Sequence, residues 1–397
     1  MDQKTETGLQ YIYENRARFI EDLLDMTAIE APSHHEQARA EELCRRFRDA
    51  GLADVHIDSV GNAVGFHYGR ERDTFVLLEA HMDTVFPFGT VTERPTVGSD
   101  GVIRCPGVSD NTAGLVNLVH VARTITSLDI ETKYTLVFAG TVNEEGQGND
   151  GIKGLLDTFG DRLKYSITVD GCEYQDIVYL ATAIRAKRYV IRGMGGHPYS
   201  EYGVIPQALR VASEIAERIT EIRVPAEPKT TVVVSNIHAG DPAVTNAIPE
   251  TAELTIDFRS NSQKWMKHLD ETIEMIVRSS VEAEACKWTL SEKEIRLDYE
   301  EEVLLDVPGG EQPADMPLVK MLEESILAVG GTPYFAKGGC CNSNVSIVRG
   351  IPTVAMGTSN LELGEHTLDE FMPTDHIYKC TQEIFLMALK AGGYAGE

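Results

Sequence analysis

Histidine and acidic residues recur where the predicted strands of this chain end. Three apolar runs that predict buried strands are each followed by such residues: His81 after 75–78, Glu144 and Glu145 after 135–139, and Asp170 after 166–169. His366 lies one loop beyond a fourth predicted strand, and Asp110 lies in a turn before a helix. Ligands of open α/β sheets bind outside the carboxyl ends of the strands, so we expect these side chains to meet at one edge of the sheet.

These residue types are typical of a site for divalent metal ions. Imidazole nitrogen and carboxylate oxygen suit Zn²⁺, Co²⁺ or Mn²⁺, and do not suit Cu(I) or iron–sulfur clusters. Two histidines and three carboxylates exceed the three protein ligands of one catalytic zinc. They fit two ions about 3.5–4 Å apart that share a bridging carboxylate and a bridging water. The sequence therefore predicts a site with two metal ions.

The spacing of neighbouring site residues indicates which of them could bind metal and which could support a ligand or act as a base. His81 and Asp83 are two residues apart, so in extended backbone they point the same way and Asp83 can orient the imidazole. Glu144 and Glu145 are adjacent and therefore diverge in extended backbone. One of them can bind metal while the other meets the water as a general base.

Alternating helical and extended patterns predict the elements that position these residues. Strands separated by helices, one of them opening at Ser33 with Glu36 as its capping partner, imply an α/β domain with a mostly parallel sheet. From about residue 186 the order β-α-β-β-α-β predicts an inserted α+β domain, whose last strand is expected at 288–297. We therefore predict a catalytic domain in two parts, with the insertion between them: 1–184, then 185–298 for the insertion, then 299–397.

Five motifs, in order along nearly the whole chain, resemble one known family. They are His81-Met82-Asp83-Thr84-Val85, Val108-Ser109-Asp110-Asn111-Thr112-Ala113-Gly114, Asn143-Glu144-Glu145-Gly146, the single Asp170, and His366-Thr367. This set resembles the signature of the dizinc metallopeptidase family that holds peptidase T, glutamate carboxypeptidase, aminoacylase, acetylornithine deacetylase and succinyl-diaminopimelate desuccinylase.

The resemblance implies two Zn²⁺ per chain, with Co²⁺ or Mn²⁺ as alternatives. The implied ligands are His81, Asp110 and Asp170 for one ion, and Asp110, Glu145 and His366 for the other. Asp110 would then bridge the ions, Glu144 would be the general base, and Asp83 would support His81.

The inserted domain carries further matches to the family. Gly193-Met194-Gly195-Gly196-His197-Pro198 resembles a segment whose histidine often reaches the active site of the partner subunit and stabilises the oxyanion. Asn246 and Arg259 match residues that typically contact substrate, the arginine gripping a free carboxylate. The resemblance therefore implies that the insertion acts as a lid and as the surface of a homodimer.

One segment departs from the family pattern. Many relatives have a Gly-Ser-Thr-Asp-Ala-Asn-like loop where this chain has Gly339-Cys340-Cys341-Asn342-Ser343-Asn344. Asn342 replaces the acid, and the two cysteines replace the hydroxyls. Because that loop shapes the substrate pocket, the departure bears on specificity.

Composition narrows the class of protein. The chain has 397 residues and a formal net charge of −26, so we expect neither nucleic acid nor an anionic membrane as a partner. Its start is polar, without the apolar segment of a signal peptide. Seven cysteines without regular spacing indicate reduced thiols and a cytoplasmic location.

Three readings from other classes compete with a metal hydrolase. Gly146, Gly148 and Gly151 fit a dinucleotide-binding fingerprint, although Glu144 and Glu145 beside it would repel a pyrophosphate. Cys340 or Cys341 with His366 could form a thiol hydrolase. A non-catalytic member of the fold would need a lost ligand or base, and none is lost.

We therefore predict a zinc-dependent exopeptidase or amidohydrolase, with a layout similar to peptidase T. It would cleave the amide bond of small peptides or N-acyl amino acids, by attack of a metal-bridging water that Glu144 activates. Deacetylases, desuccinylases and carboxypeptidases of the same family remain alternatives.

Overall fold

The computed structural model of the protein describes residues 2–146, 148–171, 173–287, 294–336, 338–358 and 364–396. The chain divides into two units. The first consists of Met1–Ala181 together with Gln312–Glu397, and the second of Thr182–Glu311.

Both units combine helices and strands. The helices are α1 (Gln3–Glu14), α2 (Arg16–Thr27), α3 (Gln37–Asp49), α4 (Gly114–Ser127), α5 (Asp150–Phe159), α6 (Ala208–Thr220), α7 (Gln263–Cys286), α8 (Pro317–Ala328), α9 (Ser343–Val348) and α10 (Ile377–Ala391). The strands are β1 (Ala53–Ile57), β2 (Ala63–His67), β3 (Glu71–His81), β4 (Val102–Arg104), β5 (Tyr134–Thr141), β6 (Leu163–Val169), β7 (Asp176–Ile177), β8 (Ala183–Arg192), β9 (Thr230–Ala239), β10 (Thr251–Ser260), β11 (Asp298–Val307), β12 (Tyr334–Phe335), β13 (Thr353–Met356) and β14 (Phe371–Pro373). Over the described residues, no helix is both long and apolar enough to span a bilayer.

A six-stranded sheet, counted over the described part of the chain, forms the centre of the first unit. Its strand order is β1-β2-β5-β3-β6-β13. β3 pairs in parallel with β5 and β6, and β13 pairs in parallel with β6, whereas β1 and β2 add antiparallel pairs at one edge. The prediction of a mostly parallel central sheet flanked by helices is confirmed.

Apolar side chains of β3 alternate between two hydrophobic clusters. Val76 and Leu78 belong to one cluster, and Phe75 and Leu77 belong to the other. Since successive side chains of a strand point to opposite faces, both faces of the sheet are covered here. This double burial explains the continuous apolar run in the sequence and stabilises the strand by about 1.5–3 kcal/mol for each large side chain.

The second unit contains a four-stranded antiparallel sheet in the order β11-β8-β10-β9, again counted over the described residues. Helices α6 and α7 pack against it, and the chain order is the predicted β-α-β-β-α-β. The last strand, Asp298–Val307, lies later than the predicted 288–297, of which 288–293 fall outside the described residues. The helix before it, α7, extends to Cys286 and thereby delays the strand.

The predicted capping box at Ser33 is wrong. The helix begins at Gln37, and the Ser33 hydroxyl donates to Asp83 instead, with 2.7 Å between the oxygens. The Glu36 carboxylate accepts hydrogen bonds from the backbone amides of His34 and Asn143, at 2.9 and 3.0 Å. These two side chains therefore tie the start of the helix to the strand ends, which outweighs the local capping preference.

Candidate metal centre

The predicted metal ligands lie in the first unit, on segments at the carboxyl ends of its parallel strands. His81 is the last residue of β3, and Asp170 directly follows β6. Glu145 lies in the turn after β5, while Asp110 lies in an irregular turn, Val108–Ala113, before α4. His366 lies in the loop before β14. Five ligands from distant parts of the sequence therefore meet at one edge of the sheet.

Two clusters of ligand atoms share Asp110. In the first, His81 Nε2 lies 2.9 Å from Asp110 Oδ1 and 3.4 Å from Asp170 Oδ1. In the second, His366 Nε2 lies 3.1 Å from both Asp110 Oδ2 and Glu145 Oε1. The two carboxylate oxygens of Asp110 thus belong to different clusters, as a bridging ligand requires.

The donor set fits divalent cations. Ligands 2.0–2.1 Å from a tetrahedral ion are about 3.3 Å apart, close to the separations found in both clusters. The cavity at the centre has a volume of about 300 Å³, and carboxylates from five residues face it without any Lys or Arg among its described lining residues. Among the described lining residues, only His81 and His366 can carry positive charge, so the carboxylates are in excess.

The pKa values of Glu145, His81 and His366 in the two clusters are raised, as expected where carboxylates are in excess. Burial raises the pKa of Glu145 to about 7, and the charge of Asp110 adds to this effect. The hydrogen bond to Asp110 raises the pKa of His366 to about 9. Burial alone would lower the pKa of His81, but the nearby Asp170 and Asp110 raise it well above its ordinary value. The excess of carboxylates therefore favours the protonated forms of Glu145, His81 and His366.

Asp83 supports the site in a way that its spacing only partly predicts. His81 Nδ1 donates to the backbone carbonyl of Asp83 at 2.9 Å and lies 3.5 Å from its carboxylate, which directs Nε2 into the first cluster. The Asp83 carboxylate is fully buried and accepts the backbone amides of Glu144 and Glu145, each at 3.0 Å. Asp83 therefore holds the turn that presents both glutamates, in addition to orienting the imidazole.

Glu144, the predicted general base, lies in this cavity and has a raised pKa. Its carboxylate lies in the same cavity, within 4.8 Å of ligand atoms of His81 and Glu145. Burial raises the pKa of Glu144 well above its usual range, and the charge of Asp170 acts in the same direction against that of His81. A carboxylate with a raised pKa can accept a proton near neutral pH and return it.

The loop 339–344, which differs from the family pattern, contributes residues to the lining of the cavity. Cys340 and Cys341 both face it, whereas Asn342 is fully buried and donates to Glu79 Oε2 at 3.0 Å and to Thr141 Oγ1 at 2.9 Å. Burial raises the pKa of the Cys341 thiol well above its ordinary value. A thiol nucleophile needs the opposite shift, so this environment disfavours a thiol hydrolase that uses Cys341.

The glycines of the dinucleotide-like fingerprint have a packing role. A Cβ added at Gly146 or Gly148 would lie 2.0 or 2.1 Å from the side chain of Asn143. A Cβ at Gly151 would lie 2.5 Å from the backbone nitrogen of Val142. These close approaches explain the glycines without a bound phosphate.

Three predicted residues lie in the second unit and are exposed. His197 Nδ1 accepts the backbone amide of Tyr199 at 3.3 Å. Arg259 forms a two-pronged ion pair with Asp257, at 2.9 and 3.1 Å, and Asn246 lies in the loop between β9 and β10. These side-chain hydrogen bonds of His197 and Arg259 join residues two positions apart in sequence.

Sequence reasoning did not identify Glu370, which contacts the turn that carries Asp110. Its buried carboxylate accepts hydrogen bonds from the backbone of Gly107, Ser109 and Asp110. No spacing rule signals this contact, because donor and acceptor are about 260 positions apart.

Comparison with known proteins gives a family match over most of the chain. A family model described as Peptidase family M20/M25/M40 matches residues 77–390. The protein YqjE of Bacillus subtilis is 24% identical over 387 residues, which cover 93% of this chain and 97% of YqjE. A succinyl-diaminopimelate desuccinylase of Burkholderia ambifaria is 27% identical over 235 residues, which cover 55% of this chain and 62% of that enzyme.

Solved structures share the fold over nearly the whole chain. Aminopeptidase PepT from Bacillus cereus matches with a TM-score of 0.81 and 21% identity, over 95% of this chain and 99% of that one. The YXEP protein of Bacillus subtilis, described as a dinuclear metal binding peptidase from the M20 family, matches with a TM-score of 0.71 and 14% identity, over 95% and 98% of the two chains.

Proposed function

The chain belongs to peptidase family M20/M25/M40, and from that premise we propose that it is a zinc-dependent exopeptidase similar to peptidase T. It would hydrolyse the first peptide bond of small peptides that have a free amino terminus. The observation that carries the proposal is the pair of ligand clusters that share Asp110, with Glu144 in the same cavity. The fold shared with aminopeptidase PepT supports the choice within the family.

Each ion would be held by one cluster: His81, Asp110 and Asp170 for the first, and Asp110, Glu145 and His366 for the second. When bound, two divalent cations would polarise the scissile carbonyl and lower the pKa of water. The mixture of imidazole and carboxylate ligands supports Zn²⁺, with Co²⁺ or Mn²⁺ as replacements.

Glu144 is the proposed general base. Its carboxylate accepts a proton as water attacks the scissile carbonyl, and then donates that proton to the leaving nitrogen. Asp83 keeps Glu144 in place through the backbone amide, so that the carboxylate and the ligands keep a constant separation. Roles for the second unit follow the family resemblance: His197 would stabilise the oxyanion, and Arg259 and Asn246 would orient the substrate.

We also propose that the protein is a homodimer through the second unit and that it works in the cytoplasm. The dimer rests on the family resemblance of the inserted domain. Four of the described cysteines, Cys44, Cys105, Cys341 and Cys380, are free thiols, which supports a reducing compartment.

A second candidate function is the removal of an acyl group from an N-acyl amino acid. The similarity to succinyl-diaminopimelate desuccinylases supports it, over 62% of the length of the Burkholderia ambifaria enzyme. Cys340 and Cys341 bear on this choice, because they line the cavity.

A substrate panel tests the proposal. The metal-reconstituted protein is incubated with dipeptides, tripeptides, and N-acetyl and N-succinyl amino acids, and the release of free amine is followed. Glu144→Ala protein prepared in parallel controls for contaminating peptidases. We expect peptides with free amino termini to be cleaved. Cleavage of the acylated amino acids alone would replace the peptidase by the second candidate, and no cleavage of either class would contradict both.

A further inference from the structure

The turn that carries Asp110 has an irregular backbone. Asp110 and Asn111 depart from helical dihedral angles, with φ and ψ of −112° and 97° for Asp110. The Thr112 hydroxyl donates to the Gly107 carbonyl, and the Asn111 side chain donates to the Val169 carbonyl at 2.8 Å. These contacts leave the amides of Gly107, Ser109 and Asp110 to be satisfied from elsewhere.

The carboxylate of Glu370 accepts hydrogen bonds from these three backbone amides. One carboxylate oxygen, Oε1, accepts the Ser109 amide at 2.8 Å, the Ser109 hydroxyl at 2.6 Å and the Asp110 amide at 3.0 Å. The other, Oε2, accepts the Gly107 amide at 2.6 Å. The side chain is fully buried, and four donors that all come from this one turn offset part of the desolvation of its charge.

The segment that contains Glu370 also supplies a ligand. His366 lies four residues earlier, and the Glu370 amide donates to the Thr367 carbonyl at 3.3 Å. The Glu370 carbonyl accepts the Cys105 amide at 3.0 Å, and β14 then pairs with β4. Glu370 therefore ties the segment of His366 to the segment of Asp110.

We propose that Glu370 is a positioning residue that sets Asp110 and His366 for the second metal ion. This inference rests on the proposed two-metal function. The second cluster takes two of its three ligands from the segments that Glu370 joins, whereas the first cluster takes only Asp110 from them. Loss of the carboxylate should therefore weaken the second metal site more than the first.

The test compares zinc binding in Glu370→Gln with the wild-type protein. The amide can keep one acceptor oxygen, but its NH₂ group replaces the other acceptor and faces a backbone donor. We expect one zinc equivalent to bind about 10- to 100-fold more weakly and the other to change much less. Competition with a chelator, with metal content per chain, measures both constants without any substrate.

Two further variants keep the test decisive. Asp369→Asn removes one negative charge from the adjacent, exposed position and should leave both zinc constants unchanged. Ser109→Ala removes only one of the four donors, so it should fold and show a smaller weakening of the same equivalent. If Glu370→Gln does not fold, the zinc constants of Ser109→Ala test the proposal instead.

Two outcomes would overturn the inference. One is unchanged binding of both equivalents in a folded variant. The other is equal weakening of both together with a lower Tm, which would make Glu370 a general stabilising residue. Where the protein hydrolyses a substrate of the panel, we also expect kcat to fall more than KM rises. Absence of any hydrolysis would reject the proposed function, while the zinc constants would still test Glu370.

Discussion

The residues of the metal clusters and the candidate substrate residues of the second unit are held in different ways. His81 and Asp110 are bonded to groups far away in sequence, and their positions are set by several segments at once. The side chains of His197 and Arg259 are exposed, and each forms a hydrogen bond with a residue two positions away. Metal ligation requires geometry fixed to about 0.5 Å before the ion arrives, whereas a surface residue can acquire its geometry when substrate binds.

The largest effect expected from this contrast is at Glu144. Replacement by Ala should reduce kcat by about 10²- to 10⁴-fold, because the proton transfer in both directions is lost. The clusters keep all their ligands, so metal content per chain should stay at the wild-type value. Steady-state kinetics on the best substrate of the panel, with metal analysis of the same sample, measures both quantities.

Glu41→Ala is the matched control, since Glu41 is an exposed glutamate on α3 of the same unit. It should leave kcat unchanged. Near-normal turnover in Glu144→Ala would reject the assignment of the base, and loss of metal together with turnover would make Glu144 a ligand instead.

Replacement of His197 should lower kcat less than replacement of Glu144 does, and should leave metal content and stability unchanged. If this exposed side chain donates to the oxyanion, His197→Ala should lower kcat by about 10²- to 10³-fold with unchanged metal content and Tm. His238→Ala, at another exposed histidine of the second unit, should behave as the wild type. A kcat within a few-fold of the wild type would show that the second unit contributes no oxyanion donor through His197.

Arg259 should affect binding rather than turnover. Its ion pair with Asp257 fixes the guanidinium from one side, and its exposure leaves it accessible to a substrate carboxylate. A lost charged hydrogen bond is worth about 1.5–3 kcal/mol, so Arg259→Ala should raise KM by about 10- to 100-fold. A peptide with an amidated carboxyl terminus should show no such difference between variant and wild type.

Arg192→Ala is the control for Arg259, because Arg192 is an exposed arginine of the same sheet that pairs with Glu300 at 2.9 Å. We expect Arg192→Ala to have the same KM as the wild type. An equal rise of KM in both variants would indicate a general electrostatic effect of the second unit, and no rise in Arg259→Ala would exclude the carboxylate contact.

The same contrast explains what the sequence could predict. Apolar runs such as 75–78 are local signals, so the sequence could predict the parallel strands and could indicate which residues at their ends are candidate ligands. Ser33 carried a local capping signal that a contact with Asp83 overrides. Glu370 carried no local signal, because the donors that it satisfies lie about 260 positions earlier. Helices α1 and α2 were missed since their surfaces are largely polar and only a few residues, such as Leu23, enter the core.

Glu383 sharpens the comparison within the first unit. Like Glu370 it is a fully buried glutamate, but neither of its carboxylate oxygens has a hydrogen-bond partner among the described residues. Burial raises the pKa of Glu383 well above its usual range, and the charge of Asp176 adds to the shift. Among the described residues, four donors therefore hold the carboxylate of Glu370, whereas no hydrogen bond holds that of Glu383.

This difference predicts opposite signs for the same substitution at the two positions. Glu383→Met should stabilise the protein by about 1–3 kcal/mol at pH 8, since it removes an unsatisfied buried polar group. Glu370→Met should destabilise it, because it leaves four donors without an acceptor. Chemical denaturation of metal-free protein measures both free energies of unfolding.

The pH dependence of the stability gained in Glu383→Met distinguishes an effect of the carboxyl group from an effect of side-chain packing. At about pH 3 and below the group is mostly neutral in both the folded and the unfolded chain, so its titration contributes almost nothing to the difference. As pH rises, the unfolded chain ionises first because the folded pKa is the higher one, and the wild type loses stability relative to Glu383→Met. The gain in the variant should therefore grow between pH 4 and 8. A gain that is constant over this range would assign the effect to packing, and a loss would mean that Glu383 is held by a partner after all.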